Sequence, residues 1–191
     1  MQVISHGRSS GPAGVTLDLF SENSENALKT GSTENGGVFE FRDIMPGVYK
    51  IVASHSNWKF TSNGLKLNLG SNSVVITEGL EVSGYEVQGR VISDGEPIQG
   101  VIFSLYSQTD SSVNELEPVS TYQTVSDLKG QFIFPVVPSG TYKLVPLYQG
   151  ESIKFDIQPS VIDLEVEDNN ILLSQKFEVS SFSGLRASLS I

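Results

Sequence analysis

Cysteine is absent from this sequence, which removes disulfide frameworks, thiolate metal sites and cysteine nucleophiles together. Its absence leaves the compartment open, because a disulfide-free sandwich can live on either side of a membrane. Histidine is limited to two residues and tryptophan to one. Basic residues are few as well: 12 Lys and Arg stand against 22 Asp and Glu, a formal net charge of −10. That sign argues against nucleic acid and anionic lipid, both of which are held through basic patches. The acidic residues are scattered rather than blocked, as expected of solvated faces. No run of eighteen apolar residues occurs, and no signal-like apolar segment opens the chain, so no direct membrane contact is expected of it. Read as a fragment of something longer, the sequence says nothing about targeting. There is no Asn-x-Ser/Thr acceptor, so no N-glycan is expected on this stretch.

What the sequence does contain is a repeat, and a repeat decides architecture before local structure does. Gly37-Val38-Phe39-Glu40-Phe41 recurs as Gly130-Gln131-Phe132-Ile133-Phe134, and Gly47-Val48-Tyr49-Lys50-Ile51-Val52 as Gly140-Thr141-Tyr142-Lys143-Leu144-Val145, both at an offset of 93. Gly14-Val15-Thr16-Leu17-Asp18-Leu19 recurs as Gly100-Val101-Ile102-Phe103-Ser104-Leu105 at an offset of 86. The difference is a longer loop in the second copy across Ser107–Ser120, and loops are where insertions are tolerated. The copies are expected at 1–82 and 83–180, with 181–191 starting a further copy or forming a divergent tail. Met1-Gln2-Val3-Ile4-Ser5 aligns only with the end of the first strand of copy two, and Phe177-Glu178-Val179-Ser180-Ser181-Phe182 repeats Leu80-Glu81-Val82-Ser83-Gly84-Tyr85. A slice from an array is the expectation.

Within each copy the pattern is β. Val15, Leu17 and Leu19 alternate with polar residues, as do Phe39 and Phe41, Tyr49 and Ile51, and Tyr85, Val87, Gly89 and Val91; a period of two places each set on one face of a strand. No stretch of ten residues has helical periodicity. Met45-Pro46-Gly47-Val48 suits a type II turn with Gly47 at positive φ. Asn35-Gly36-Gly37 and Asn63-Gly64 read as hairpins, and Gly95-Glu96-Pro97 and Gly11-Pro12 as corners between the first two strands. With a hydrophobic share of 38%, low for a deep core, the expected fold is all-β: two tandem Ig-like (prealbumin- or CNA-B-like) antiparallel sandwiches.

Chemistry is sparse. His6 and His55 lie in no metal-ligand spacing and are expected at the surface. Serines are numerous enough that chance Ser–His pairings carry no information, and no Gly-x-Ser-x-Gly elbow is expected. Asp94, Glu96, Asp127, Glu167 and Asp168 fall at turns but form no calcium loop. No cofactor, metal or catalytic residue is expected, and the chain is not an enzyme. Trp58 and Tyr148 follow the same strand in their respective copies; they either face a sugar as an aromatic platform or close off the ends of the sandwiches.

Gly-x-Phe-x-Phe followed by Pro-Gly-x-Tyr or Pro-Ser-Gly-x-Tyr resembles carboxypeptidase-regulatory-like and CNA-B-type modules. Longer stretches are similar to the nodal modulator family: Val82–Tyr85 leading into Ser93–Val101, Pro138–Tyr142, Tyr148–Ser160, and Ile44–Ile51 running to Trp58. The resemblance covers about residues 1–182. It implies a lumenal string of β-sandwiches on a single-pass protein of the endoplasmic reticulum membrane. It implies nicalin and a small multi-pass membrane protein as partners beside the translocon, and a link to restraint of Nodal signalling. No catalytic residue comes with the family. After Phe182 the chain departs from the family's Val-x-Gly-x-Val strand, reading Gly184-Leu185-Arg186-Ala187-Ser188-Leu189-Ser190-Ile191.

Three readings follow. The first is a structural and interaction module, with the short linker Val82–Tyr85 restricting motion between copies. The second is a carbohydrate-binding sandwich with a glycan on Trp58 or Tyr148, by fold analogy. The third is a bacterial stalk with isopeptide bonds, which needs a first-strand Lys that Glu86–Val91 lacks.

Overall fold

The computed structural model of the protein describes residues 1–77, 79–108, 122–149 and 155–180. The inserted loop of the second copy beyond Gln108, the stretch at 150–154 and the tail at 181–191 lie outside the described residues. No helix occurs among those described. The chain divides into two compact units: Met1–Glu86 with Val136–Ser139 and Val166–Asn170, and Val87–Pro135 with Gly140–Glu165 and the chain from Ile171 on. The first unit thus includes two short segments that the sequence repeat assigns to the second copy.

Unit 1 has one four-stranded antiparallel sheet in the order β3 (Lys29–Ser32), β2 (Thr16–Ser21), β4 (Gly47–Ser54) and β6 (Gly64–Leu69). Alternate residues of β2 and β4 point inward: Leu17, Leu19, Ile51 and Ala53 are buried, as a period of two dictates. Opposite lie β1 (Ile4–Ser5), β5 (Lys59–Ser62) and the first part of β7 (Glu81–Ser93). β1 runs parallel to β7, with Ile4 beside Glu81, and β5 runs antiparallel to it. Val3, Leu80, Val82 and Tyr85 close the core from that side, each fully buried.

Unit 2 repeats the plan. Its four-stranded sheet is β10 (Tyr122–Val125), β9 (Ile102–Ser107), β12 (Gly140–Leu147) and β14 (Ile162–Val166). The remaining strands gather round β7: β8 (Glu96–Pro97), β11 (Gln131–Val137), β15 (Ile171–Leu172) and β16 (Phe177–Ser180), with β13 (Asp156–Gln158) on β16. β7 and β8 form a hairpin with Asp94-Gly95 at its tip, both at positive φ. Phe103 stacks on Phe132 at 3.7 Å between centroids, and Phe177 meets both rings edge-on.

Three local expectations are corrected. Asn63-Gly64 is not a hairpin: β5 pairs with β7 while β6 pairs with β4, so the chain changes sheets there. Gly47 is not left-handed; it opens β4 opposite Leu69, and the left-handed residue nearby is Asp43, with φ 54°. What glycine permits at 47 is the return of the Tyr49 ring, since a Cβ there would lie 3.3 Å from ring atoms. The Tyr49 hydroxyl donates to the Met45 carbonyl at 2.8 Å, tying down the turn. Finally, Phe39 and Phe41 are not in a strand, whereas their counterparts Phe132 and Phe134 lie in β11.

Candidate functional site

The motif residues hold the fold. Gly37 and Gly130 have φ of 74° and 67°, a conformation L side chains disfavour. A Cβ on either would come within 1.9 Å of the Val3 carbonyl oxygen or 2.3 Å of the Val91 carbonyl oxygen. Their own carbonyls accept from Val3 N–H and Val91 N–H, each at 2.8 Å. Beside them a buried hydroxyl recurs. Thr33 Oγ1 accepts from Val15 N–H and donates to the Pro12 carbonyl, and Ser126 Oγ accepts from Val101 N–H and donates to the Ile98 carbonyl. A single hydroxyl can serve both backbone groups because it is donor and acceptor at once. Sequence reasoning passed over Thr33 and Ser126, although both sit four residues ahead of a motif glycine.

Trp58 belongs to unit 1 and is buried, at 8% exposure. Its indole N–H donates to Asn170 Oδ1 at 3.0 Å, and the same oxygen accepts from Glu86 N–H at 3.0 Å. His55 stacks on the indole at 3.7 Å, and Tyr85 meets it edge-on at 5.3 Å. Burial lowers the His55 pKa from its ordinary value. Burial pushes the Tyr85 phenol up to about 12, a hydrogen bond with Ser5 Oγ opposing the rise. With one face under His55 and its N–H engaged, Trp58 lacks the open ring face a sugar platform requires. Tyr148 belongs to unit 2, is half-buried, and lies tilted against Phe155 at 4.9 Å. The two aromatics are therefore in separate units.

The remaining candidates are dispersed. His6 is exposed and pairs through Nδ1 with Glu81 Oε1 at 2.8 Å. Gly7-Arg8-Ser9-Ser10-Gly11 does have Gly-x-Ser-x-Gly spacing, contrary to the sequence expectation, but it is an exposed turn after β1 with no helix following, so it lacks the strand-to-helix elbow that activates a serine. Asp127 Oδ1 accepts from Lys129 N–H and Gln131 N–H and shapes its own turn. Glu167 approaches Arg8 at 3.7 Å. Among the described residues no three His, Asp or Glu converge as a metal site, and no buried side-chain nitrogen or oxygen lacks a hydrogen bond.

Residues 1–83 match the family described as BOS complex subunit NOMO1-like, second beta sandwich domain, and residues 108–180 the NOMO third transthyretin-like domain. The chain belongs to the NOMO family. It is 36% identical to the BOS complex subunit NOMO1 of Mus musculus and 35% identical to NOMO1 of Homo sapiens, in each case over 95% of this chain. It spans only 16% of those NOMO relatives' length. Among solved structures, the Bacillus anthracis TIE protein is similar at TM-score 0.42 and 14% identity, covering 94% of this chain and 33% of that one. The Streptococcus agalactiae minor pilin GBS52 is similar at TM-score 0.39 and 13% identity, covering 96% of each. The glycines and tyrosines shared by the two copies, with Phe132 and Phe134, are the residues seen above to build turns and cores.

Proposed function

We propose that this NOMO-family chain is a non-enzymatic structural and interaction module, two tandem sandwiches from a lumenal ectodomain of the endoplasmic reticulum. In this reading it serves as a scaffold in a nicalin-containing complex beside the translocon, where multi-pass proteins are inserted and through which Nodal signalling is modulated. The observation that carries the reading is the match of 95% of the chain to proteins named as BOS complex subunits. The geometry supports it, because the motif residues are engaged in backbone and core contacts and the titratable groups are dispersed. The negative charge fits a protein partner better than nucleic acid.

The test is association with nicalin, read by size-exclusion chromatography with light scattering. A stable complex places a partner surface within these two modules. A chain that runs as a folded monomer in the presence of nicalin rejects the scaffold contact for this segment and leaves a spacer.

A further inference from the structure

In unit 2 the seam between β7 and its parallel neighbours is uneven. β15 joins β7 with Ile171 beside Val87, and β16 joins it with Phe177 beside Val91. Between these points β7 advances four residues while its neighbour advances six. Leu173 N–H still donates to the Gln88 carbonyl at 2.9 Å, after which Ser174, Gln175 and Lys176 belong to no strand. Surplus residues on one side of a ladder disrupt it locally and bend the longer strand. A pocket of about 330 Å³ opens at this detour, with Leu172 and Leu173 as its apolar side and Gln88, Arg90, Gln131 and Lys176 around them. Leu172 is 72% exposed.

The charge of this pocket is opposite to that of the chain. No acidic side chain lines it among the described residues. Arg90 is tied at its rim, Nε donating to the Lys129 carbonyl at 3.3 Å, so Lys129 adjoins as a third cation. Among the described residues none of the three enters an ion pair. Asp127 is engaged by two backbone N–H groups of its own turn, and Glu178 lies further along, beside Ile92. The fold does not require these cations. Val3 and Val91 make the same bond to the carbonyls of Gly37 and Gly130, which sets Gln2 against Arg90 and Gly36 against Lys129. Gly79 precedes Leu80 as Lys176 precedes Phe177. Unit 1 therefore has no cation at any of the three positions.

We propose that this pocket docks an acidic segment of a partner protein, with carboxylates on Arg90 and Lys176 and an apolar side chain against Leu172. Charge complementarity selects the acidic partner, because three free cations face solvent with no carboxylate of the chain to answer them. Gln88 and Gln131 each offer a donor and an acceptor, which suits the peptide groups of such a segment. The volume is at the lower end for a ligand pocket, enough for one or two side chains of a peptide. The net charge of −10 does not oppose this, since at physiological salt charges more than about 8 Å away are largely screened. The surface stands apart from the scaffold reading: failure of the chain to bind nicalin leaves it in place.

The test titrates the full chain with a labelled peptide that alternates glutamate and leucine, read by fluorescence anisotropy and amide hydrogen exchange. Saturable binding is expected, weaker at higher salt, with new protection at residues 88–90 and 172–176. The double variant Arg90→Gln, Lys176→Gln should bind about tenfold more weakly, as expected when two exposed charge pairs are lost. Both residues are exposed, so the fold is kept. The control is Lys50→Gln, Lys66→Gln, a cross-strand pair of exposed lysines in unit 1 whose loss changes the net charge equally; it should bind as the parent does. Equal weakening in both double variants overturns the proposal, since net charge alone then governs binding. So does equal binding of a peptide alternating lysine and leucine, or the absence of saturable binding. Phosphatidylserine vesicles that bind the parent but not the Arg90→Gln, Lys176→Gln variant, while the peptide does not bind, assign the pocket to a lipid headgroup and overturn it too.

Discussion

The two copies of the repeat use the same residues to make different contacts. In unit 2, Phe132 lies in β11, stacks on Phe103 and rests over Gly89 of β7. In unit 1 its counterpart Phe39 lies outside any strand, half-buried, with its ring over Gly31 of β3 and Phe41 edge-on at 4.9 Å. Each ring has found a glycine, but in different strands. At two core positions the units differ, with Phe103 and Phe177 of unit 2 standing where unit 1 has Leu17 and Leu80. The backbone devices are the same in both: a left-handed glycine against the first strand, a buried hydroxyl two-way bond, and a tyrosine ring across a glycine at the start of the long strand. A repeat therefore preserves its turns more strictly than its core, because turns are fixed by backbone geometry whereas cores need only fill volume.

The largest break in this comparison should come from the phenylalanines. Phe132→Ala is expected to destabilise by about 3–5 kcal/mol in chemical denaturation, and Phe39→Ala by roughly half as much, because the second ring is only partly buried. Equal losses would mean that Phe39 packs as deeply as Phe132. The motif glycines should behave alike instead. Gly37→Ala and Gly130→Ala should each cost about 1–3 kcal/mol, since both combine positive φ with a carbonyl in the path of a Cβ. A neutral result at either site would show that the first strand can retreat there.

The hydroxyls come next. Ser126→Ala and Thr33→Val should each cost about 1–2 kcal/mol, because each leaves a buried backbone N–H without its acceptor. Measured in one series, the two values test whether the shared device contributes equally in the two units. A last test is alkaline. Burial raises the Tyr85 and Tyr142 phenols from 10.0 to about 12, with the neighbouring Tyr122 adding to the rise at Tyr142. The folded state then holds these protons more tightly than the unfolded chain, so the contribution is fully present below pH 10 and is lost as pH rises towards 12. Denaturation midpoints should fall over that interval, and Tyr142→Phe should flatten the fall; an unchanged slope in the variant would remove Tyr142 from the account.

How much of this was legible in advance depends on range. The period of two along Val15–Leu19 and Tyr49–Ile51 named the inward faces correctly, and longer stretches such as Tyr148–Ser160 and Ile44–Trp58 carried the resemblance to the family. The errors concerned strand pairing, the role of one glycine and one overlooked spacing. Asn63-Gly64 has the composition of a hairpin yet carries the chain from one sheet to the other, because turn chemistry reports a change of direction and not the identity of the next neighbour. Gly47 was given a positive-φ role, while its close neighbour is a side chain two residues on, the Tyr49 ring. Trp58 could be placed at the end of a strand, but its burial depends on Asn170, which lies 112 positions away.

By itself the sequence determined the strand periodicity, the repeat and the acidic balance, since each is written in local composition and spacing; the family came by resemblance over longer stretches. Only the tertiary structure decided which strands pair and where two aromatics sit. It also decided that the same Gly-x-Phe-x-Phe run is a strand in one unit and makes only isolated bridges in the other. A strand's side-chain faces are set by its own residues, whereas its hydrogen bonds exist only when a second backbone lies alongside.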